Sequence, residues 1–162
     1  MQPNSPQASP PFVFDDLYVG QQFTSGTRLV EQDEIIAFAK QFDPQPFHTD
    51  PEAAKETLFQ GLVASGWHTA AMTMRLLIDS GLSIEGGMVG AGGELTWPRP
   101  TRPGYILQVE TEVVELRPSR SRPDRGLATI RSETKNQQGE VLQILFARLV
   151  VPRRIQLPST GI

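Results

Sequence analysis

Thr57-Leu58-Phe59-Gln60-Gly61-Leu62-Val63-Ala64-Ser65-Gly66-Trp67-His68-Thr69-Ala70-Ala71-Met72-Thr73-Met74 runs without a single charged side chain. A solvated helix carries charge on its outer face, so this stretch does not feed one. The helix it opens is expected to begin near Ser65-Gly66, run to Asp79 ahead of Gly81, and be largely buried. Ser65 suits the N-cap, and Gly66 allows a ligand or a neighbouring element to approach the backbone closely. Ala70, Ala71 and Met74 are small or pliable and permit tight packing along one face. Such a helix has to be covered, and the chain on either side indicates by what.

Downstream the hydrophobic period shortens to two. Residues 88–97, 105–116, 127–134 and 141–151 are rich in branched and aromatic side chains, and Leu107, Val109, Thr111 and Val113 alternate with Gln108, Glu110 and Glu112. These segments are expected to form long antiparallel strands. Pro98, Pro100 and Pro103 punctuate the first connection, residues 117–126 form the second, and residues 136–139 form the third. Gly90-Ala91-Gly92-Gly93 could be mistaken for a phosphate loop, but it leads into Glu94-Leu95-Thr96-Trp97 and opens no helix. Glycines within a strand signal a bulge or a close backbone approach.

Upstream, residues 22–29 follow the Val19-Gly20 turn as a short strand. Ile35, Phe38, Ala39 and Phe42 then fall at helical spacing behind Glu31, Asp33 and Glu34, whose charge suits a helix start. Pro44 ends that helix by Phe42 or Asp43. In Asp43-Pro44-Gln45-Pro46-Phe47-His48 the two prolines are expected to hold the chain away from helix and central strand alike. Asp50-Pro51-Glu52 supplies the cap, proline and acidic first turn of another short helix. Helices early and strands late define an α+β layer, a long antiparallel sheet wrapped around one uncharged helix. Residues 12–153 form the domain, behind a proline-rich arm at 1–11 expected to be disordered and ahead of a tail at 154–162.

Composition narrows the chemistry. The chain of 162 residues has no cysteine and 2 histidines. Disulfides, thiolate nucleophiles, CxxC pairs, Cys-ligated metal and a three-histidine metal centre are all excluded. A net charge of −3 offers no general attraction to nucleic acid or to an anionic membrane. No apolar run approaches a membrane span, and the N-terminus lacks a signal-peptide pattern, so the cytoplasm is the expected compartment. Acid–base work near neutral pH falls to the imidazoles and carboxylates.

Asp43 and His48 are the leading pair, separated by a proline-stiffened turn that lowers the entropy of bringing them together. Spacing alone favours a capping aspartate and a structural histidine, because Asp-x4-His is common by chance. The start of the uncharged helix is the second candidate, because its unpaired N–H groups and positive potential suit a carbonyl oxygen that becomes anionic. His68, beside Trp67, is expected to be a satisfied core histidine. Arg117, Arg120, Arg122 and Arg125 crowd one connection and are expected to form a solvated loop.

Taken together, Asp43-x-Gln45-Pro46-x-His48-x-Asp50, the Ala53-Ala54 after it, Gly61-Leu62-Val63-Ala64-Ser65-Gly66 and Gly93-Glu94-Leu95-x-Trp97-x-Arg99-Pro100-x-x-Pro103-Gly104 resemble the MaoC-like acyl dehydratases, or (R)-specific enoyl-CoA hydratases. The likeness runs from about Asp15 to Pro152. It implies a hot-dog fold in a single repeat, a homodimer or higher homo-oligomer, and an acyl-CoA or similar thioester substrate with no metal or redox cofactor. Residue by residue, it implies that Asp43 and His48 hold a water that adds across a 2-enoyl thioester, while the Gly66 N–H receives the thioester oxygen. Gln45, Ser65 and Trp67 would then contact the substrate. Gln45 stands where the family pattern has asparagine, and Ser65 where many hydratases have histidine. A non-catalytic acyl-thioester binding or dimerisation module is the competing expectation. A hot-dog thioesterase is a weaker one, since residues 57–74 lack the helix carboxylate many of those enzymes use.

Overall fold

The computed structural model describes residues 9–154, so the expected arm over 1–8 and tail over 155–162 lie outside the described residues. Five strands, β1 (Gln22–Leu29), β2 (Val89–Thr96), β3 (Ile106–Pro118), β4 (Arg125–Lys135) and β5 (Val141–Pro152), form one antiparallel sheet in the order β1-β3-β4-β5-β2. Four helices complete the fold: α1 (Gln32–Phe42), α2 (Pro46–Thr49), α3 (Pro51–Ala54) and α4 (Gly66–Ile78). α4 lies against the inner face of the sheet, the wrapped-helix arrangement of a hot-dog fold.

The alternation read from the sequence becomes the pleat. Along β4, Gly126, Ala128, Ile130, Ser132 and Thr134 are buried, while the intervening residues are partly exposed. Two apolar clusters fill the concave side. Val30, Ile35, Leu76, Leu77, Leu107 and Leu142 pack around α4. Phe14, Leu82, Ile84, Val113, Ile130 and Val151 close the other end. Each such side chain, once fully buried, contributes about 1.5–3 kcal/mol by leaving water. In β2 the register shifts between Gly90 and Gly92, the bulge that the glycine run announces. At Gly93 a Cβ would lie 2.1 Å from the Phe146 carbonyl oxygen, so the two strand backbones meet where only glycine fits.

Two expectations need correction. The segment around His48 does contain helix: α2 starts at Pro46, because proline at the first helical position loses only an N–H that has no intrahelical partner there. And α4 is covered on one side only. His68, Thr69, Met72, Thr73, Leu76 and Leu77 are buried, whereas Trp67, Met74 and Ile78 are exposed. The missing charge therefore does not mean that the helix is buried all round.

Three segments converge at the N-terminus of α4. The Val63 N–H donates to the Phe47 carbonyl of α2 at 3.0 Å, and the Ala64 N–H donates to the Thr101 carbonyl at 2.8 Å. Thr69 on α4 then donates through its hydroxyl to that of Thr101 at 2.9 Å. α2, the start of α4 and the connection after β2 are thereby fixed relative to one another.

Candidate active site

His48 is buried on α2, and its Nδ1 lies 2.6 Å from the Val63 carbonyl oxygen. A carbonyl only accepts, so Nδ1 carries the proton and donates. In the neutral ring Nε2 is then an acceptor, and it faces Asp43 Oδ2 at 3.3 Å. Two acceptors so placed need a shared proton or a molecule that donates to both. Asp43 is the C-cap of α1, its own N–H donating to the Ala39 carbonyl at 2.8 Å.

Both Asp43 oxygens are anchored. The Gln45 amide Nε2 donates to Oδ1 at 2.6 Å, and the Ser65 hydroxyl donates to Oδ2 at 2.7 Å. Burial pushes the Asp43 carboxyl pKa upward, but these two hydrogen bonds and the neighbouring His48 outweigh it and leave the value below the ordinary 3.8. The group is therefore ionised throughout the neutral range. Ser65 also accepts the Trp67 N–H at 3.3 Å as N-cap of α4, so one fully buried hydroxyl joins a helix start to a carboxylate.

Gly66 is the first residue of α4, where a backbone N–H has no intrahelical acceptor. A Cβ at Gly66 would lie 2.6 Å from Cε2 of Trp97, so the indole rests directly on the helix start. Asp43, His48, Gly66, Trp67 and Trp97 line one open cavity of about 440 Å³, whose remaining walls are mainly apolar and include Phe47 and Phe59. The cavity brings together an ionised carboxylate, an imidazole acceptor and a helix N-terminus inside apolar walls. That set can polarise a water and stabilise a developing oxyanion.

The sequence-derived candidates divide accordingly. Asp43, His48, Gly66 and Trp67 line the cavity. Gln45 and Ser65, expected to contact substrate, instead hold the two oxygens of Asp43 and do not line it. His68 is buried and stacked on Phe38 at 4.7 Å between ring centres, against a separate cavity that includes Arg28 and Arg75. Burial pushes the His68 pKa down. Arg117, Arg120 and Arg125 lie at the β3–β4 hairpin and border a different surface. Sequence reasoning missed the Val63 carbonyl and the walls made by Trp97, Phe47 and Phe59. A carbonyl has no sequence identity, but the aromatic content around both motifs was a visible signal.

An antiparallel sheet holding one central helix defines a hot-dog protein, and in it a carboxylate, an imidazole and a helix N-terminus meet at one cavity. The model of the MaoC like domain matches residues 18–136, and the chain belongs to that family. Its relatives include the Bacillus subtilis protein YdeM, 35% identical over 127 residues, which cover 76% of this chain and 87% of the relative. A 3-hydroxybutyryl-CoA dehydratase of Methylorubrum extorquens is 32% identical over 111 residues, 67% of this chain and 68% of that protein. Among solved structures, a MaoC-like dehydratase from Rhodospirillum rubrum is 56% identical with a TM-score of 0.87, covering 90% of this chain and 99% of that one. Among the described residues no helix is long and apolar enough to cross a membrane, and no group of three or more His, Cys, Asp or Glu stands ready to hold a metal ion.

Proposed function

We propose that the protein is a hydratase or dehydratase that adds water to, or removes it from, a 2-enoyl thioester such as an acyl-CoA. The observation that carries this reading is the pair of facing acceptors, His48 Nε2 and Asp43 Oδ2 at 3.3 Å, with the other ring nitrogen committed to Val63. A water donating to both presents its oxygen lone pair to C3 of the substrate. As that oxygen attacks, His48 Nε2 takes one water proton and the double-bond electrons move onto the thioester oxygen. The Gly66 N–H stabilises the enolate. The imidazolium, held beside ionised Asp43, then returns its proton to C2, which completes the addition of one water.

General acid–base catalysis of this kind contributes about 10²–10⁴ in rate and a single oxyanion donor about 10²–10³. The step needs no metal or redox cofactor. The family match and the named dehydratase relative support the reaction class. A binding module would have no use for a carboxylate anchored at both oxygens opposite an oriented imidazole.

A homodimer or higher homo-oligomer belongs to the same reading. β2 is an edge strand, exposed at nearly every position, and Trp67, Met74 and Ile78 leave a second exposed apolar face on α4. Equilibrium sedimentation should give at least twice the chain mass, and a monomer at micromolar concentration would contradict this part.

Wild type, Asp43→Asn and His48→Gln should be incubated with crotonyl-, hexenoyl-, octenoyl- and dodecenoyl-CoA while loss of conjugation is followed. Wild type should hydrate at least one ester, and each variant should be slower by about 10² or more. A wild type that binds these esters without turnover establishes the binding module. Release of free CoA establishes a thioesterase.

A further inference from the structure

A line of buried polar side chains leads out of the cavity into the sheet. The Trp97 indole Nε1–H donates to Gln143 Oε1 at 2.9 Å, Gln143 Nε2 donates to the Thr73 hydroxyl at 3.0 Å, and the Thr73 and Thr134 hydroxyls share a 2.6 Å bond. Gln143, Thr73 and Thr134 have no exposed surface. Indole N–H is only a donor, so the amide oxygen has to face Trp97 and the amide nitrogen has to face Thr73. The orientation of Gln143 is thus set from both sides. Sheet register explains its location: Thr96 at the end of β2 pairs with Ile144 of β5, which brings Trp97 beside Gln143, and Gln143 pairs with Thr134 of β4.

The face of the same indole meets the helix start. Cε2, Cδ2 and Cζ2 of Trp97 would all lie within 2.8 Å of a Cβ at Gly66, and Trp67 meets the ring edge-on at 5.4 Å. Trp97 therefore stands against the first residue of α4, on the wall of the cavity. An acyl chain whose carbonyl is held at Gly66, with C3 before Asp43 and His48, meets this indole as it extends.

We propose that Trp97 sets the acyl-length limit of the cavity and that Gln143, which touches no substrate, is the positioning residue that holds it there. This rests on the acyl-thioester reading above and deepens it: the preferred substrates are short or compact acyl thioesters. One methylene in an apolar pocket is commonly worth about 10-fold or more in discrimination. Replacing the indole by a methyl group should therefore move the preference clearly.

The test compares kcat/KM for dodecenoyl-CoA with that for crotonyl-CoA. Wild type should favour crotonyl-CoA, and Trp97→Ala should raise the long-to-short ratio by about 10-fold or more. Gln143→Met, similar in length but without the acceptor, should raise the ratio in the same direction by a smaller factor. In a Trp97→Phe background, where no indole N–H remains to be held, Gln143→Met should leave the ratio unchanged. With Trp67→Phe making Trp97 the sole tryptophan, Gln143→Met should also shift its fluorescence emission. Where Gln143→Met does not fold, Thr73→Val, which removes the amide's other partner, takes its place in both measurements. An unchanged ratio in Trp97→Ala overturns the length limit. An equal ratio shift from Gln143→Met with and without the indole overturns the positioning role. A wild type that neither binds nor hydrates any of these esters overturns the hydratase reading and this inference with it, whereas hydration with an unmoved ratio overturns the inference alone.

Discussion

Ser65→Ala removes one hydroxyl that makes two bonds, the donation to Asp43 Oδ2 at 2.7 Å and the acceptance of the Trp67 N–H at 3.3 Å. Ser65 has no exposed surface, so the alanine leaves little access for water to replace either bond. A hydrogen bond to a charged partner contributes about 1.5–3 kcal/mol and an N-cap hydroxyl about 0.5–2 kcal/mol. The long cap bond belongs at the lower end of its range, so about 2–4 kcal/mol is expected at pH 7. The two parts differ in pH dependence. The Asp43 carboxyl is held below its ordinary 3.8, so its contribution is present above about pH 4 and lost as pH falls through the folded value. Ser65→Ala weakens one cause of that lowering. The loss of stability should therefore be largest at neutral pH and shrink as pH falls through the folded value, while the cap part persists. Urea denaturation followed by far-ultraviolet circular dichroism at pH 7, 5 and 3 reads this directly, and enoyl-CoA hydration at pH 7 should fall as the carboxylate loses an anchor. A destabilisation of the same size at every pH would mean that the hydroxyl only caps α4, and the claim that it holds Asp43 would fail.

Two glycine substitutions separate the site from the scaffold. Gly66→Ala places a Cβ 2.6 Å from the Trp97 ring, and thermal unfolding should show a loss of about 1–3 kcal/mol, with Trp97→Ala in the same chain restoring much of it. Gly126→Ala places a Cβ 2.4 Å from Phe14 Cε2 in the second apolar cluster, distant in sequence and absent from the cavity wall. It should destabilise by a similar amount of about 1–3 kcal/mol while leaving the kcat of the folded fraction unchanged.

Much of the fold was legible because periodicity records burial. Leu107, Val109, Thr111 and Val113 alternate in the sequence and sit buried on β3. Residues 22–29 coincide with β1, and Phe42 ends α1 where Pro44 requires it. At position 46 a proline that should exclude helix instead begins one, since the restriction on helix interiors does not apply to a first turn. The uncharged segment before Met74 points to a helix buried largely all round, whereas α4 is buried along one face and leaves Trp67, Met74 and Ile78 exposed, because absence of charge does not say which side of a helix the chain covers.

The site was legible to the extent that it is local. Asp43 and His48 share one turn, so their approach is written in a few residues and two prolines. What makes the pair useful is not local. Val63 fixes the imidazole tautomer from a distant segment, Ser65 holds the carboxylate across the start of α4, and Gln143 reaches Trp97 across the sheet. His48 and His68 illustrate the difference, being the same residue type and both buried. The first has its Nδ1 bound to a carbonyl and its Nε2 turned toward an ionised carboxylate. The second lies flat on Phe38 with its Nδ1 unpartnered and its pKa lowered by burial. Burial alone does not make a histidine a base. On the proposed mechanism a buried imidazole becomes one when a fixed hydrogen bond at one nitrogen dictates what the other must do, and the Val63 carbonyl, on the segment leading into α4, supplies that bond to His48.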